Sequence, residues 1–305
     1  MHGVLANRYL ILELVGTGGV SRVYRALDLR TNTLVAVKHL LTHAPAVHAR
    51  FEREADLLAR LRHPSIPEAH GYYVEGGERL LVMRFVPGPD LGEQLACRGR
   101  PFSVGSVLEW AAQLLEVLMY LHGQGVVHHD IKPRNIKLDA GGRVVLLDFG
   151  LASEEVSASA HDGTTGYTAS YSPPEQVRGA PTDPRSDLYA LGATLYELLA
   201  RRSPPPALQR IADGADPLEP LEALNPNVPA SLAATVHAAL HLDKDKRPPH
   251  AQAMHAAVLE ALDACGREIP DAAPPVRHPG DVVPRGRAWS LARTTIVRTP
   301  DLALV

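Results

Sequence analysis

His128-His129-Asp130-Ile131-Lys132-Pro133-Arg134-Asn135, followed a few residues later by Val144-Val145-Leu146-Leu147-Asp148-Phe149-Gly150, is the part of the sequence on which the fold turns. The first run follows an apolar stretch, Val107 to Leu121, that reads as a buried helix, and the second is a short buried strand ending in a carboxylate. Three polar functions at these offsets are hard to explain as packing, and a loop that is polar only because loops are needs no such order. A carboxylate at Asp130 can accept a proton from a hydroxyl. An ammonium at Lys132 can neutralise charge on a transferring phosphoryl group, and Asn135 with Asp148 supplies hard oxygen ligands for magnesium.

Upstream, GTGGVSRVYRALD begins at Gly16, with Gly16 and Gly18 between two expected strands. Glycines there let backbone N–H groups close over phosphates that a Cβ would hold away. A glycine-rich hairpin is also what an ordinary turn looks like, and a dinucleotide-binding fingerprint would require a helix next rather than the strand Val23 to Ala26. Val35-Ala36-Val37-Lys38 then reads as a strand whose alternation turns Ala36 and Lys38 to one face and Val35 and Val37 to the other. Taken alone, Lys38 is equally an edge-strand lysine kept for solubility. The helix that follows, near Ala46 to Arg62, repeats Val47, Phe51, Glu54, Leu58 and Leu61 at spacings of four and three, so Glu54 lies within an apolar stripe. A buried carboxylate needs a partner, and Lys38 is the nearest cation from the preceding strand. Glu52, off the stripe, reads as a solvated charge.

The remaining pattern divides the chain. Strands are expected over Tyr9 to Val15, Arg22 to Asp28, Leu34 to Leu40, Gly71 to Glu75 and Arg79 to Phe85, a small sheet-rich lobe. After Pro87, Gly88 and Pro89 the signal turns helical, with Leu188 to Leu199 a second buried helix of a larger lobe. Residues 266–305 are rich in Pro, Arg and Ala and read as a disordered tail. Over 305 residues, 45% hydrophobic and 21% charged residues leave ample material for a core. The formal net charge of -3, without a long run of one sign, favours neither nucleic acid nor an anionic membrane as partner. Cys97 and Cys265 show no metal or disulfide spacing, which points to a reducing compartment. No apolar run approaches the roughly 18–20 residues needed to span a bilayer, and no leader pattern opens the chain, so a cytoplasmic protein is expected.

In order along the chain stand GTGGVSRV, VAVK, Glu54, HHDIKPRN, DFG, PPE and DLYALG, and in this the sequence resembles the eukaryotic-like Ser/Thr protein kinases, bacterial members included, over about residues 9 to 265. The resemblance implies an α+β, bilobal fold: a small antiparallel-sheet N-lobe with one helix (9–86) and a larger, mostly helical C-lobe (87–265). It implies transfer of the γ-phosphoryl group of ATP to Ser or Thr hydroxyls of protein substrates, with magnesium, or manganese in its place. By the same resemblance Gly16, Thr17, Gly18 and Gly19 form the phosphate-covering loop, Lys38 holds the α and β phosphates, and Val23 and Ala36 roof the adenine. Met83 is then the gatekeeper, and Arg84, Phe85 and Val86 are the hinge whose backbone bonds the base. Asp130 and Lys132 are catalytic, Asn135 and Asp148 hold the metal, and Thr168, seven residues before Glu175, touches both catalytic residues on the substrate side. Lys132 and Thr168 are the marks of Ser/Thr rather than tyrosine specificity. Asp187 anchors the catalytic-loop backbone, and Glu175 pairs with Arg247. The rival is a pseudokinase that keeps the fold as a binding module, but Lys38, Asp130, Asn135 and Asp148 are all retained.

Three positions depart from the family pattern. His129 stands where an arginine normally clamps a phosphate of the activation segment, so activity is expected without a phosphorylated segment. Ser21 replaces the third loop glycine, which nucleotide binding should survive. Lys137 replaces the apolar floor under adenine; its stem can serve as floor while its ammonium reaches water. Ser157, Ser159, Thr164 and Thr165 are candidate phosphoacceptors. ARTTIVRTP in the tail, with Thr294 and Thr295, resembles segments read by phosphothreonine-binding domains, against the plainer reading of a disordered end.

Overall fold

A computed structural model describes residues 3–149, 169–212 and 216–266, and the chain divides into two compact units at Pro87/Gly88. The N-terminal unit is one antiparallel sheet built from β1 (Val4–Leu5), β2 (Tyr9–Thr17), β3 (Ser21–Asp28), β4 (Thr33–Leu40), β5 (Ala69–Glu75) and β6 (Glu78–Arg84), in the order β1-β2-β3-β4-β6-β5. Among the described residues of this unit one helix, α1 (Pro45–Arg60), packs on it. Alternation assigns the two faces. Tyr9, Ile11, Tyr24, Val35, Val37, Leu80 and Val82 form a buried cluster on one side. Opposed residues share a face, so the pairings Gly16↔Val23, Val23↔Lys38 and Ala36↔Met83 put Gly16, Val23, Ala36, Lys38 and Met83 together on the other. Helix α1 ends at Arg60, two residues earlier than its apolar spacing suggests, because Leu61 adopts extended backbone while its amide still bonds the Leu57 carbonyl. The short strand β1 carries no periodic signal of its own and pairs Val4 and Leu5 with Leu10 and Tyr9.

The C-terminal unit is mostly helical: α2 (Leu91–Arg98), α3 (Val104–Gly123), α4 (Pro174–Val177), α5 (Pro184–Ala200), α6 (Ala207–Ala212), α7 (Leu221–Leu224), α8 (Ala230–Ala239) and α9 (Ala251–Cys265). Helix starts follow capping chemistry. Asp90 and Glu93 close a capping box on α2, Ser103 caps α3, and Asp183 with Ser186 caps α5 ahead of Pro184. Helices α3 and α5 form the centre, with α9 on α3 and α8 on α5. Contrary to the reading of the sequence, one helix does have the length and mean hydropathy of a membrane span. It is α3, and 72% of that apolar window is buried inside the protein, as for a central core helix. A two-stranded ribbon, β7 (Ile136–Leu138) with β8 (Val144–Leu146), completes the unit, and a turn of 3-10 helix, Pro133–Asn135, leads into it.

Candidate active site

In the N-terminal unit Lys38 Nζ lies 2.6 Å from Glu54 Oε1. Glu54 is fully buried and Lys38 nearly so. The pair follows from construction: β4 turns Lys38 toward the α1 face, and the apolar stripe of α1 carries Glu54 onto the sheet. Such a pair contributes little net stability, because desolvation offsets attraction, but it fixes the position of the ammonium. The loop glycines are not demanded by the protein itself. Gly16, Gly18 and Gly19 all have negative or extended φ, a Cβ at Gly19 would meet nothing within 4 Å, and one at Gly18 only Ser21, at 3.5 Å. Their smallness fits a group outside the chain, as the phosphates of a nucleotide would be. Ser21, in the third glycine position, instead closes the turn by accepting the Gly18 amide on its carbonyl at 2.8 Å. Met83 is buried beside Ala36, and β6 ends at Arg84, whose amide bonds the Glu68 carbonyl at 2.9 Å; Phe85 and Val86 continue outside the strand.

In the C-terminal unit the catalytic-loop candidates converge. Lys132 Nζ donates to both oxygens of Asp130, at 2.8 and 2.9 Å. Asn135 Nδ2 donates to the Asp130 carbonyl and to Asp130 Oδ2, both at 2.8 Å. With its amide nitrogen so committed, Asn135 keeps Oδ1 for a cation. The ribbon brings Asp148 to the same end: Leu147 donates its amide to the Asn135 carbonyl at 2.8 Å, so Asn135, just before β7, and Asp148, just after β8, share one end of the ribbon. Among the described residues no group of three or more His, Cys, Asp or Glu is placed to hold a metal. Two oxygen ligands completed by substrate phosphates and water suit a hard divalent cation.

The loop is held from below. Asp187, fully buried in the first turn of α5, accepts the amides of His128 and His129 at 2.9 Å each and His122 Nε2 at 2.9 Å. Burial pushes its carboxyl up, but the His122 bond, the neighbouring histidine charges and the His128 amide outweigh this and hold it below the ordinary aspartate value. His129 and Asp148 adopt left-handed backbone, φ +69° and +51°. Such conformations cost on the order of 1–3 kcal/mol each and persist where surrounding structure imposes them. At His129 the imposing contacts are Asp187 on its amide, Gln176 Nε2 on its carbonyl at 3.0 Å and Thr182 Oγ1 on its ring Nε2 at 2.8 Å. Arg247 forms a two-pronged bond to Glu175 at 2.6 and 2.9 Å, and Ser186 Oγ donates to the same carboxylate.

A protein kinase domain profile matches residues 9–259. The chain belongs to the protein kinase domain family. It is 32% identical over 324 residues to the serine/threonine-protein kinase PknB of Mycolicibacterium smegmatis, covering 96% of this chain and 52% of that one. It is 33% identical over 283 residues to PknB of Mycobacterium tuberculosis, covering 87% and 45%. With pkn3 of Myxococcus xanthus it shares 38% identity over 210 residues, covering 64% and 38%. The chain thus spans about half or less of the length of these relatives. Among solved structures, the apo form of PpkA-294 superposes with a TM-score of 0.74 at 26% identity, covering 85% of this chain and 98% of that one. The PknI kinase domain of Mycobacterium tuberculosis gives 0.68 at 29%, covering 86% and 98%. These relatives place the kinase domain among the eukaryotic-like Ser/Thr protein kinases, whose members use ATP and a divalent metal and act on proteins.

One expectation needs correction. The Lys137 ammonium is bonded to the Gly88 carbonyl at 2.7 Å rather than left to water, and burial lowers its pKa. Glu52 is exposed, as expected of a solvated charge, and meets Tyr72 and Arg79 at the surface at 3.2 and 3.3 Å. Gly150, Ser157, Ser159, Thr164, Thr165, Thr168, Thr294 and Thr295 lie outside the described residues. Sequence reasoning missed His122, Gln176 and Thr182, which hold the catalytic loop. Each comes from a different element and carries no spacing signal relative to Asp130.

Proposed function

We propose that the kinase domain transfers the γ-phosphoryl group of ATP to Ser and Thr hydroxyls of other proteins. The observation that carries this reading is the Asp130, Lys132 and Asn135 cluster with Asp148 at the same ribbon end. Asp130 orients the acceptor hydroxyl and takes its proton as the oxygen bonds the γ phosphorus and the bond to the β-phosphate oxygen breaks, leaving ADP. Lys132 offsets charge on the phosphoryl in flight, and Lys38, fixed by Glu54, holds the α and β phosphates. Gly16 to Gly19 close over them, Val23, Ala36 and Met83 line the base, and the Arg84–Val86 backbone bonds it. Asn135 Oδ1 and the Asp148 carboxylate would hold magnesium, which would neutralise phosphate charge. Serine and threonine preference is supported by Lys132 and by Thr168 in sequence. The test is a single incubation of purified protein with magnesium and γ-labelled ATP, alone and with a protein acceptor, followed by identification of the labelled amino acid. Phosphoserine or phosphothreonine is expected; phosphotyrosine alone, or label on small molecules only, would overturn the reading.

A further inference from the structure

The residue before Asp130 is gripped at three points. Asp187 accepts the His129 amide at 2.9 Å, Gln176 Nε2 donates to its carbonyl at 3.0 Å, and Thr182 Oγ1 meets its ring Nε2 at 2.8 Å. The first two hold backbone atoms and are open to any residue at position 129. Of the three, the contact with Thr182 alone depends on the side chain that stands there.

The grip comes from a rigid frame. Thr182 immediately precedes Asp183, which caps α5 in a box with Ser186 ahead of Pro184. The Asp183 carboxylate is held in turn by Arg185 at 2.8 Å and Lys244 at 3.3 Å, and Arg185 also reaches Asp245 at 2.7 Å. Asp187 lies in the first turn of the same helix, so one helix start presents a hydroxyl to the ring and a carboxylate to the amide. Gln176 is placed from α4 beside Glu175, whose carboxylate is locked by Arg247 and whose carbonyl accepts the Ala180 amide at 2.8 Å.

The ring contact needs no charge. A hydroxyl both donates and accepts, so it completes a bond to imidazole whichever ring nitrogen carries the proton. His129 holds left-handed backbone, φ +69°, a conformation that persists only where its surroundings impose it, and rotation there would swing the Asp130 that follows. Misplacing a reacting group by about 1 Å can cost about a hundredfold in rate.

We propose that Thr182 is a positioning residue for phosphoryl transfer: its hydroxyl, acting through the His129 ring, fixes the backbone from which Asp130 meets the acceptor hydroxyl. The inference rests on the phosphotransfer reading above. Thr182 belongs to none of the motifs that carry that reading.

The experiment measures kcat, KM for ATP and KM for a threonine peptide in wild-type protein, in Thr182→Val, which keeps the shape and removes the hydroxyl, and in Thr182→Ser, which keeps the hydroxyl. Thr182→Val should lower kcat about tenfold, the order of one lost hydrogen bond, with both KM values within about twofold of wild type. Thr182→Ser should keep kcat at the wild-type level. His129→Phe should lose a similar factor, and Thr182→Val added to it should lose nothing more, because the two side chains act as one unit. Thr182→Ala takes the place of the valine variant if that one fails to fold. A wild-type kcat without the hydroxyl, equal damage by valine and serine, or losses that multiply in the double variant would overturn the proposal. If wild-type protein transfers nothing to any acceptor, the phosphotransfer reading fails instead, and hydrogen exchange decides the brace: the His129 and Asp130 amides should exchange faster in Thr182→Val and at the wild-type rate in Thr182→Ser, whereas equal rates in all three proteins would refute it.

Discussion

At the scale of single residues, His128 and His129 show how differently two neighbours of one type are used. His128 is fully buried against Phe149, with ring centroids 4.6 Å apart, and burial lowers its pKa from 6.5. A histidine whose folded pKa lies below its unfolded value contributes stability that is complete above about pH 6.5 and is lost as pH falls through the folded value. Urea midpoints taken from pH 7.5 down to pH 5 should therefore fall, and His128→Phe should flatten that slope; an unchanged slope would remove the assignment. His129 has its ring nitrogen on Thr182 instead. With the loop braced by that bond, phosphatase-treated protein is expected to retain turnover, measured with a peptide acceptor, and loss of turnover would show that a phosphate is required after all. Lys38→Met should abolish transfer and also lower the melting temperature by several degrees, since leaving a buried carboxylate without its cation costs about 3–5 kcal/mol.

Among elements, the packing of α5 on α8 explains a motif residue that chemistry does not. Gly192, the glycine of DLYALG, faces α8 so closely that a Cβ would lie 2.8 Å from Ala239 Cβ and 3.4 Å from the Val236 carbonyl. Gly192→Ala should force the helices apart and cost about 1–3 kcal/mol, read as a lower denaturant midpoint. The same element carries Asp187 and the Ser186 bond to Glu175, so a shift of α5 is felt in the catalytic loop. Much of this was legible in the sequence. Strand alternation put Ala36 and Lys38 on one face, the family resemblance added Val23 and Met83 to it, and the Lys38–Glu54 pair followed from a carboxylate in an apolar stripe. What could not be read were contacts set by tertiary closure: Thr182 and Gln176 on His129, and the Gly88 carbonyl under Lys137. These join residues whose spacing has no period, and local propensity carries no trace of them.

For the whole molecule, the claim is that groups from separate stretches of the polypeptide serve one phosphoryl transfer. Chelation of divalent cations should stop it, and added magnesium should restore it, since Asn135 and Asp148 offer only two oxygen ligands of their own. The most direct measurement compares wild-type protein with Asp130→Asn under γ-labelled ATP, magnesium and a protein acceptor, with ATP binding measured in parallel. Label should enter serine or threonine with the wild type and fall by at least about a hundredfold in the variant while ATP still binds. Near-normal transfer by Asp130→Asn, or none by the wild type, would contradict the account.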